Sequence, residues 1–549
     1  MGPGSIQKWS SKPMDIKDFV LHLNEMHVSL TVHNGELRVR SAGELPAQVV
    51  QSIREKKQEL VDLLSAQHLS SGEASIRPAT GQPASWPLSH AQRRFWLMSQ
   101  VDDAEGALNI TGVKLLRGKL DESCLADALM YVIERHESLR TIFAENVSGQ
   151  VMQHILPAAE VFCSSLVEDV SHSSDAWREL EERYRQEQLT GFDLQRGPLL
   201  RVRLLKLQDE LHACLYTLHH IISDGWSMEV FAKEMIGAYN ARKQGSQLLM
   251  PPLSLQYKDF TVWHHGQLEG PVGKAGEAYW LQQLAGPLPV LQLPSDKARP
   301  DVKGYAGDSL IFALPDTLAA DIGKLAAKQG CTLFITLLAG LKALFYRYTA
   351  QEDILVGSPI AGREHKDLEG QIGAYLNSIA LRTRVQVDEP FTELLGRVKA
   401  TLLDAYRHQG YPFNLLVERL AVKKNPGRLP VFDVMVAMQN HRLVNSGDVV
   451  NGLEGLTAEE VTDLPAQKSL FDLSIVFLEV DQALHVSICY DSDVYSAVTV
   501  GQLFRHFVQL MESVVQQPAG RVGELGYLGR EEQQELLGWG HAGQEEQPR

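Results

Sequence analysis

The stretch from Leu211 to Glu229 constrains the fold more than any other part of the chain. Arg201 to Lys206 alternates apolar and polar residues, Gln208-Asp209-Glu210 turns, and Leu211 to His220 forms a second strand. A helix begins near Trp226, with Val230, Phe231, Met235 and Tyr239 spaced along its apolar side. Two histidines, His219 and His220, therefore close a strand, and Asp224-Gly225 opens a helix. Side chains alternate along a strand, so His219 and His220 point to opposite sides, and only one can face a reaction site. Two packed histidines and a helix-capping Asp would give the same string.

The rest of the sequence removes the common alternatives. The 549 residues carry 52 Lys plus Arg against 68 Asp plus Glu, a net charge of −16. That balance argues against a nucleic-acid partner, which needs clustered cations. No apolar run approaches the roughly 20 residues of a membrane span. The N-terminus has no apolar signal-peptide core; Met1 to Ser5 reads as an added leader, with Met14 the natural start. Cytoplasmic residence is the simplest expectation. Five scattered cysteines (Cys124, Cys163, Cys214, Cys331 and Cys489) with no CxxC exclude a disulfide framework and a common zinc site. No P-loop, HExxH helix or GxSxG elbow is present. No metal and no bound cofactor is expected.

The chain divides by pattern. Residues 14–67 read as a small α/β unit: a helix on Ile16, Phe19, Val20 and Leu23, a hairpin around Asn34-Gly35, and a second helix opened by Pro46. In the hairpin, Leu37 and Val39 share one face, while Arg38 and Arg40 share the other. Residues 68–84 are a Ser-, Gly- and Pro-rich linker. Two α/β lobes follow, over 85–270 and 271–520. A charged segment, 521–549, ends in a linker-like stretch.

An ordered series of motifs carries a resemblance. Ser89-His-Ala-Gln-Arg-Arg-Phe-Trp-Leu97, Arg135-His-Glu-Ser-Leu-Arg-Thr-Ile-Phe143 and His219-His-Ile-Ile-Ser-Asp-Gly225 come first. Tyr257-Lys-Asp-Phe-Thr-Val-Trp263, Ile372-Gly-Ala-Tyr-Leu-Asn377, His408-Gln-Gly-Tyr-Pro-Phe413 and Asn425-Pro-Gly-Arg-Leu-Pro430 follow. Together they resemble the seven motifs of nonribosomal peptide synthetase condensation domains, over about 85–520. Ser378 stands where Thr is usual, and Gly410 where an acidic residue is common.

The resemblance implies a V-shaped pair of chloramphenicol-acetyltransferase-like lobes. Donor and acceptor carrier proteins would approach from opposite faces, each with a substrate on a phosphopantetheine thioester. The acceptor amine would attack the donor carbonyl. His220 would face the tunnel, and the Gly225 N–H would be a candidate oxyanion donor at a helix start. Asp224 would be structural, paired with Arg363 of Gly362-Arg363. His219, Arg140 and Asn377 would shape the site, with Arg140 bracing the core near the active-site loop and Asn377 hydrogen-bonding in the tunnel. Arg135 is less certain, and His136 reads equally as a packed histidine. Tyr257, Trp263, Tyr411 and Phe413 read as packing residues.

His219-His220 separates the chain from heterocyclisation domains, which carry Asp in place of the first His. Pro359-Ile-Ala-Gly-Arg363 separates it from epimerisation domains. The first two motifs look most like the class joining an L donor to an L acceptor. A starter condensation domain and an acyl-coenzyme A dependent N-acyltransferase remain as alternatives, as does an inactive docking or scaffold module. The N-terminal unit resembles TubC-type docking domains, which capture a C-terminal peptide of an upstream synthetase. An exposed hairpin edge suits that role, and Arg38 and Arg40 suit an acidic peptide. The tail from Leu525 to Trp539 resembles a linker into a downstream adenylation domain.

Overall fold

The computed structural model describes residues 28–33, 36–41, 51, 53, 54, 56, 57, 76–81, 85–101, 106–161, 167–246, 250–422, 425–440, 452–461, 464, 468–480, 483–529 and 532–534. The chain forms two compact units, residues 1–76 and 77–549.

In the first unit, β1 (Val28–His33) and β2 (Glu36–Ser41) pair antiparallel. His33 stands opposite Glu36, so two residues connect the strands, as the Asn-Gly dipeptide predicts. Leu37 and Val39 take register opposite Val32 and Leu30; Arg38 and Arg40 oppose Thr31 and Ser29. Ile53 is buried within a short helical stretch. The helix expected over Ile16 to Leu23, the Asn34-Gly35 turn, and Pro46 lie outside the described residues, as does most of the 68–84 linker.

The second unit begins with β3 (Trp86–Pro87), α1 (His90–Ser99), β4 (Asn109–Gly118) and α2 (Glu122–Arg135). β5 (Thr141–Glu145), β6 (Val151–Ile155), β7 (Val167–Asp169) and α3 (Ala176–Leu189) come next. The hairpin of β8 (Leu200–Gln208) and β9 (Leu211–His219) then feeds α4 (Gly225–Lys243), as the sequence pattern requires. Ser89 starts α1 through a reciprocal capping box with Gln92. β9 lies inside its sheet between β4 and β8, so both of its edges are paired and its last residue is held on both sides.

α5 (Tyr257–Glu269) and α6 (Pro271–Gln283) lead into the second lobe and pack on one another. The expected boundary at 270 thus falls between two packed helices, not at a break. Beyond them lie β10 (Gly307–Ala313), α7 (Asp316–Lys328), α8 (Leu333–Thr349), β11 (Asp353–Ile360) and β12 (Asn377–Arg384). α9 (Phe391–Arg407), α10 (Phe413–Leu420), β13 (Val434–Asn440), β14 (Leu456–Glu460), β15 (Leu473–Val480), β16 (Ala483–Asp491) and α11 (Ala497–Gln516) complete the order. Six strands form one sheet in the order β10-β16-β15-β13-β11-β12. α8 is buried continuously from Phe334 to Phe345, and its apolar sequence explains why.

Two features depart from a division at 270 and 520. β14 leaves the second lobe and pairs antiparallel with β4 of the first, Leu456 opposite Gly118. Leu456 packs there with Leu116, Leu125 and Tyr239, and the strand covers the edge of β4. Packing also continues past 520: Val522 and Leu525 are buried in the second core, and Arg347 Nη1 donates to the Leu525 carbonyl at 2.7 Å. The packed core therefore includes residues past 520. No single helix among the described residues is long and apolar enough to cross a membrane.

Candidate active site between the lobes

The site is built where β9 ends. The His219 N–H donates to the Leu199 carbonyl at 3.1 Å, and the His220 N–H to Leu108 at 2.8 Å. Both histidines are therefore fixed by neighbouring strands before their side chains do anything. His219 turns inward and is buried. Its Nδ1 accepts from the Ile221 N–H at 3.0 Å, which puts the ring proton on Nε2, and its ring meets Phe192 edge-on. Burial, then the neighbouring His220 and Arg201, lower its pKa to about 3. His219 is a neutral packing residue, as the alternation argument requires of one member of the pair.

His220 is half-buried and lies stacked on Phe95, ring centroids 5.3 Å apart. Burial lowers its pKa; Asp224 and the Ser223 backbone oppose that shift, and Arg94 adds to it. Its Nδ1 is buried with no partner in hydrogen-bonding geometry, although the Ser223 backbone is close enough to favour the protonated ring.

Asp224 has two tasks. As N-cap of α4 it accepts from the Ser227 N–H at 2.8 Å and from Ser227 Oγ at 2.6 Å. It also binds the loop between β11 and β12. Arg363 Nη2 donates to Asp224 Oδ1 at 3.0 Å, and the Tyr375 N–H donates to Oδ2 at 3.1 Å. The Asp224 and Arg363 side chains are 3% and 1% exposed, so the pair is shielded from solvent. Arg363 is held further by the Leu368 and Gln371 carbonyls, at 2.6 and 2.8 Å, and by the Tyr375 ring 4.1 Å away. Gly362 makes this possible. Its φ is +65°, and a Cβ there would lie 2.0 Å from the Tyr375 carbonyl oxygen.

Other expected residues fall as follows. Gly225 is the first residue of α4, and a Cβ on it would meet nothing within 4 Å, so the space beside it is open. Asn377 hydrogen-bonds the backbone of a neighbouring segment. Its Nδ2 donates to the Gln409 and Tyr411 carbonyls and its Oδ1 accepts from the Phe413 N–H, so the whole side chain is spent bracing residues 409–413. Arg140 hydrogen-bonds the Leu156 carbonyl at 2.8 Å, bracing the small β3-β6-β5 sheet; it does not brace the Asp224 loop. Arg135 and His136 share Glu234 of α4, at 3.0 and 2.8 Å. Burial opposes the Glu234 charge, but the His136 hydrogen bond and the Arg135 guanidinium hold its pKa below the ordinary value. Among the described residues no three His, Cys, Asp or Glu side chains are grouped to hold a metal ion.

Several contributors carried no signal of their own in the sequence. Ser138 Oγ donates to the Ile372 carbonyl, Tyr257 OH donates to Ala374, and Ser89 Oγ meets the same Tyr257 hydroxyl. Ser227 Oγ accepts from Gly373 N and Arg363 Nη2. Tyr257 is thus more than packing: it is an anchor for residues 372–375. These residues lie inside or beside the motifs, yet which partner each takes depends on contacts across more than a hundred positions.

Residues 83–537 match the family model of the condensation domain. The chain belongs to that family. As a condensation domain it is 36% identical, over 471 residues, to one of the plipastatin synthase proteins of Bacillus subtilis (strain 168), covering 84% of this chain and 17% of that protein. It is likewise 36% identical over 467 residues to tyrocidine synthase 3 of Brevibacillus parabrevis, covering 84% and 7%. The chain therefore spans a small part of the length of the curated relatives it matches. Among solved structures, the X-domain from teicoplanin biosynthesis superposes with a TM-score of 0.74 at 27% identity, covering 83% of this chain and all of that one. The first condensation domain of the CDA synthetase superposes at 0.67 and 21% identity, covering 81% and 99%, and shows the same fold.

Asp224 and His220 differ in what their side chains hold. Asp224→Asn leaves Arg363 buried without a counter-charge, at a cost on the order of 3–5 kcal/mol. Thermal melting is expected to show a large loss for Asp224→Asn and a much smaller one for His220→Ala, whose ring is stacked on one neighbour. Equal losses would contradict the division of roles.

Proposed function

We propose that this condensation domain forms an amide bond between two carrier-bound substrates. The observation that carries this reading is the buried Asp224–Arg363 pair at the start of α4, four residues past His220. The acceptor amine attacks the donor thioester carbonyl, the carbonyl electrons move to oxygen, and collapse expels the donor thiolate. The amine proton ends on that thiol. A neutral imidazole orients the amine and can accept its proton. An amine and a thioester are already reactive partners, so much of the acceleration comes from holding their ends together in a dry channel. The Gly225 N–H, at the N-terminus of α4, is placed to donate to the developing oxyanion.

Both substrates arrive on phosphopantetheine arms of carrier proteins, and the chain itself holds no cofactor. An L donor and an L acceptor fit the first two motifs best. The β1–β2 hairpin belongs to a TubC-like docking domain over 14–67 that recruits the C-terminal peptide of an upstream synthetase. Leu37 and Val39 offer an apolar strip and Arg38 and Arg40 a basic one. The acceptor carrier and an adenylation domain lie downstream in the full synthetase, which works in the cytoplasm.

Mixing the protein with loaded donor and acceptor carriers is expected to move the acyl group to the acceptor, read by intact mass. His220→Ala is expected to lower that transfer by at least about 100-fold, the scale of a lost general base. Transfer from acyl-coenzyme A but not from a carrier would favour the N-acyltransferase reading instead.

Deleting residues 14–67 is expected to weaken capture of an upstream chain while leaving transfer from excess free donor carrier unchanged. Equal loss in both assays would contradict the docking role.

A further inference from the structure

Arg94 of the first motif is a half-buried cation with no part in the Asp224–Arg363 lock. It projects from α1, one residue before the Phe95 ring on which His220 stacks. Its guanidinium crosses to the second lobe, where Nη1 donates to Ser378 Oγ at 3.1 Å and the group lies 5.3 Å from the centre of the Phe413 ring. Both contacts are neutral. Among the described residues no carboxylate lies within ion-pair distance of Arg94. Burial lowers its pKa to about 10, which leaves it charged at neutral pH.

Taking a cation out of water without a counter-charge is expensive, and other arginines of the chain show the usual remedy. Arg363 has Asp224, Arg135 has Glu234, and Arg382 has Asp353. Arg94 alone among these four has only a hydroxyl and an aromatic face. A preorganised charge is worth most where negative charge appears during a reaction, and least where a carboxylate already neutralises it. The tetrahedral species formed by amine attack on a thioester carries such a charge on its oxygen.

We propose that Arg94 is an electrostatic positioning residue for the condensation reaction: its guanidinium, braced between Phe413 and Ser378 and paired with no carboxylate among the described residues, is the fixed positive charge toward which the tetrahedral anion forms. The inference rests on the amide-forming reading above and deepens it. No covalent step is added. The amine nitrogen bonds to the carbonyl carbon, the carbonyl electron pair moves to oxygen, and the same pair expels the thiolate on collapse. The charge also acts on the imidazole. The groups facing His220 are His219 on the same strand end, Asp224 at the start of α4, the Ser223 backbone, and Arg94 from α1. Asp224 favours the imidazolium and Arg94 disfavours it.

The test is single-turnover transfer between loaded carriers at saturating carrier concentration, measured against pH for wild type, Arg94→Met and Arg94→Lys, with melting temperatures alongside. Arg94→Met is expected to slow transfer on the order of 100-fold, the scale of a lost oxyanion donor, with unchanged dependence on carrier concentration. Its acid limb is expected to move to higher pH, since a cation that disfavoured the imidazolium is gone. Arg94→Lys keeps the charge and is expected to recover part of the rate and hold the limb near its wild-type position. Equal losses in Met and Lys variants with the limb unmoved would mean a packing role and overturn the proposal. Loss confined to donors that carry a carboxylate would overturn it in favour of side-chain recognition. An active wild type with an indifferent Arg94→Met defeats this inference alone; a wild type that forms no amide defeats both it and the amide-forming reading.

Discussion

The ion pair between Asp224 and Arg363 is the contact on which the rest of the site depends. It joins the start of a helix in the first lobe to a loop between two strands of the second. Both residues are buried, and each is the other's counter-charge. Such a pair contributes little net stability relative to an apolar replacement, but losing one member leaves a stranded charge. Its value lies in specificity. The carboxylate accepts four hydrogen bonds in fixed directions, which ties the start of α4 to Arg363 and Tyr375. The His220 backbone beside it is held separately, by the Leu108 carbonyl.

Around the pair, residues 372–375 act as a hub. Ser138, Tyr257 and Asp224 reach them from the first lobe, and Ser227 bonds both Gly373 and the arginine. Motifs far apart in sequence thus share one set of backbone groups. The physical reason is plain: a loop in a cleft must have its N–H and C=O groups satisfied, and side chains from the facing lobe supply the partners. β14 adds a second tie, because a strand from the second lobe completes the sheet of the first.

Much of this was legible in the sequence where periodicity decides it. Strand alternation assigned opposite roles to His219 and His220, and Asn34-Gly35 set a two-residue hairpin connection. The capping role of Asp224 and its pairing with Arg363 were both readable, one from local pattern and one from family resemblance. The partner of a polar side chain was not. That Asn377 bonds the backbone of residues 409–413 was not readable from its motif. Arg140 went to Leu156 for the same reason, since an arginine takes whichever carbonyl the fold brings within reach. The crossover of β14 was also hidden. A five-residue strand carries too little pattern to announce which sheet it will join.

The claim that the lobes are registered through Asp224 and Arg363, and that this register sets the reaction rate, is best tested by a double-mutant cycle. Asp224→Asn, Arg363→Met and the double variant are compared for single-turnover transfer between carriers. Strong coupling is expected: once Asp224 is Asn, replacing Arg363 costs little more. Losses that multiply independently would show that the two residues act separately and would contradict the claim.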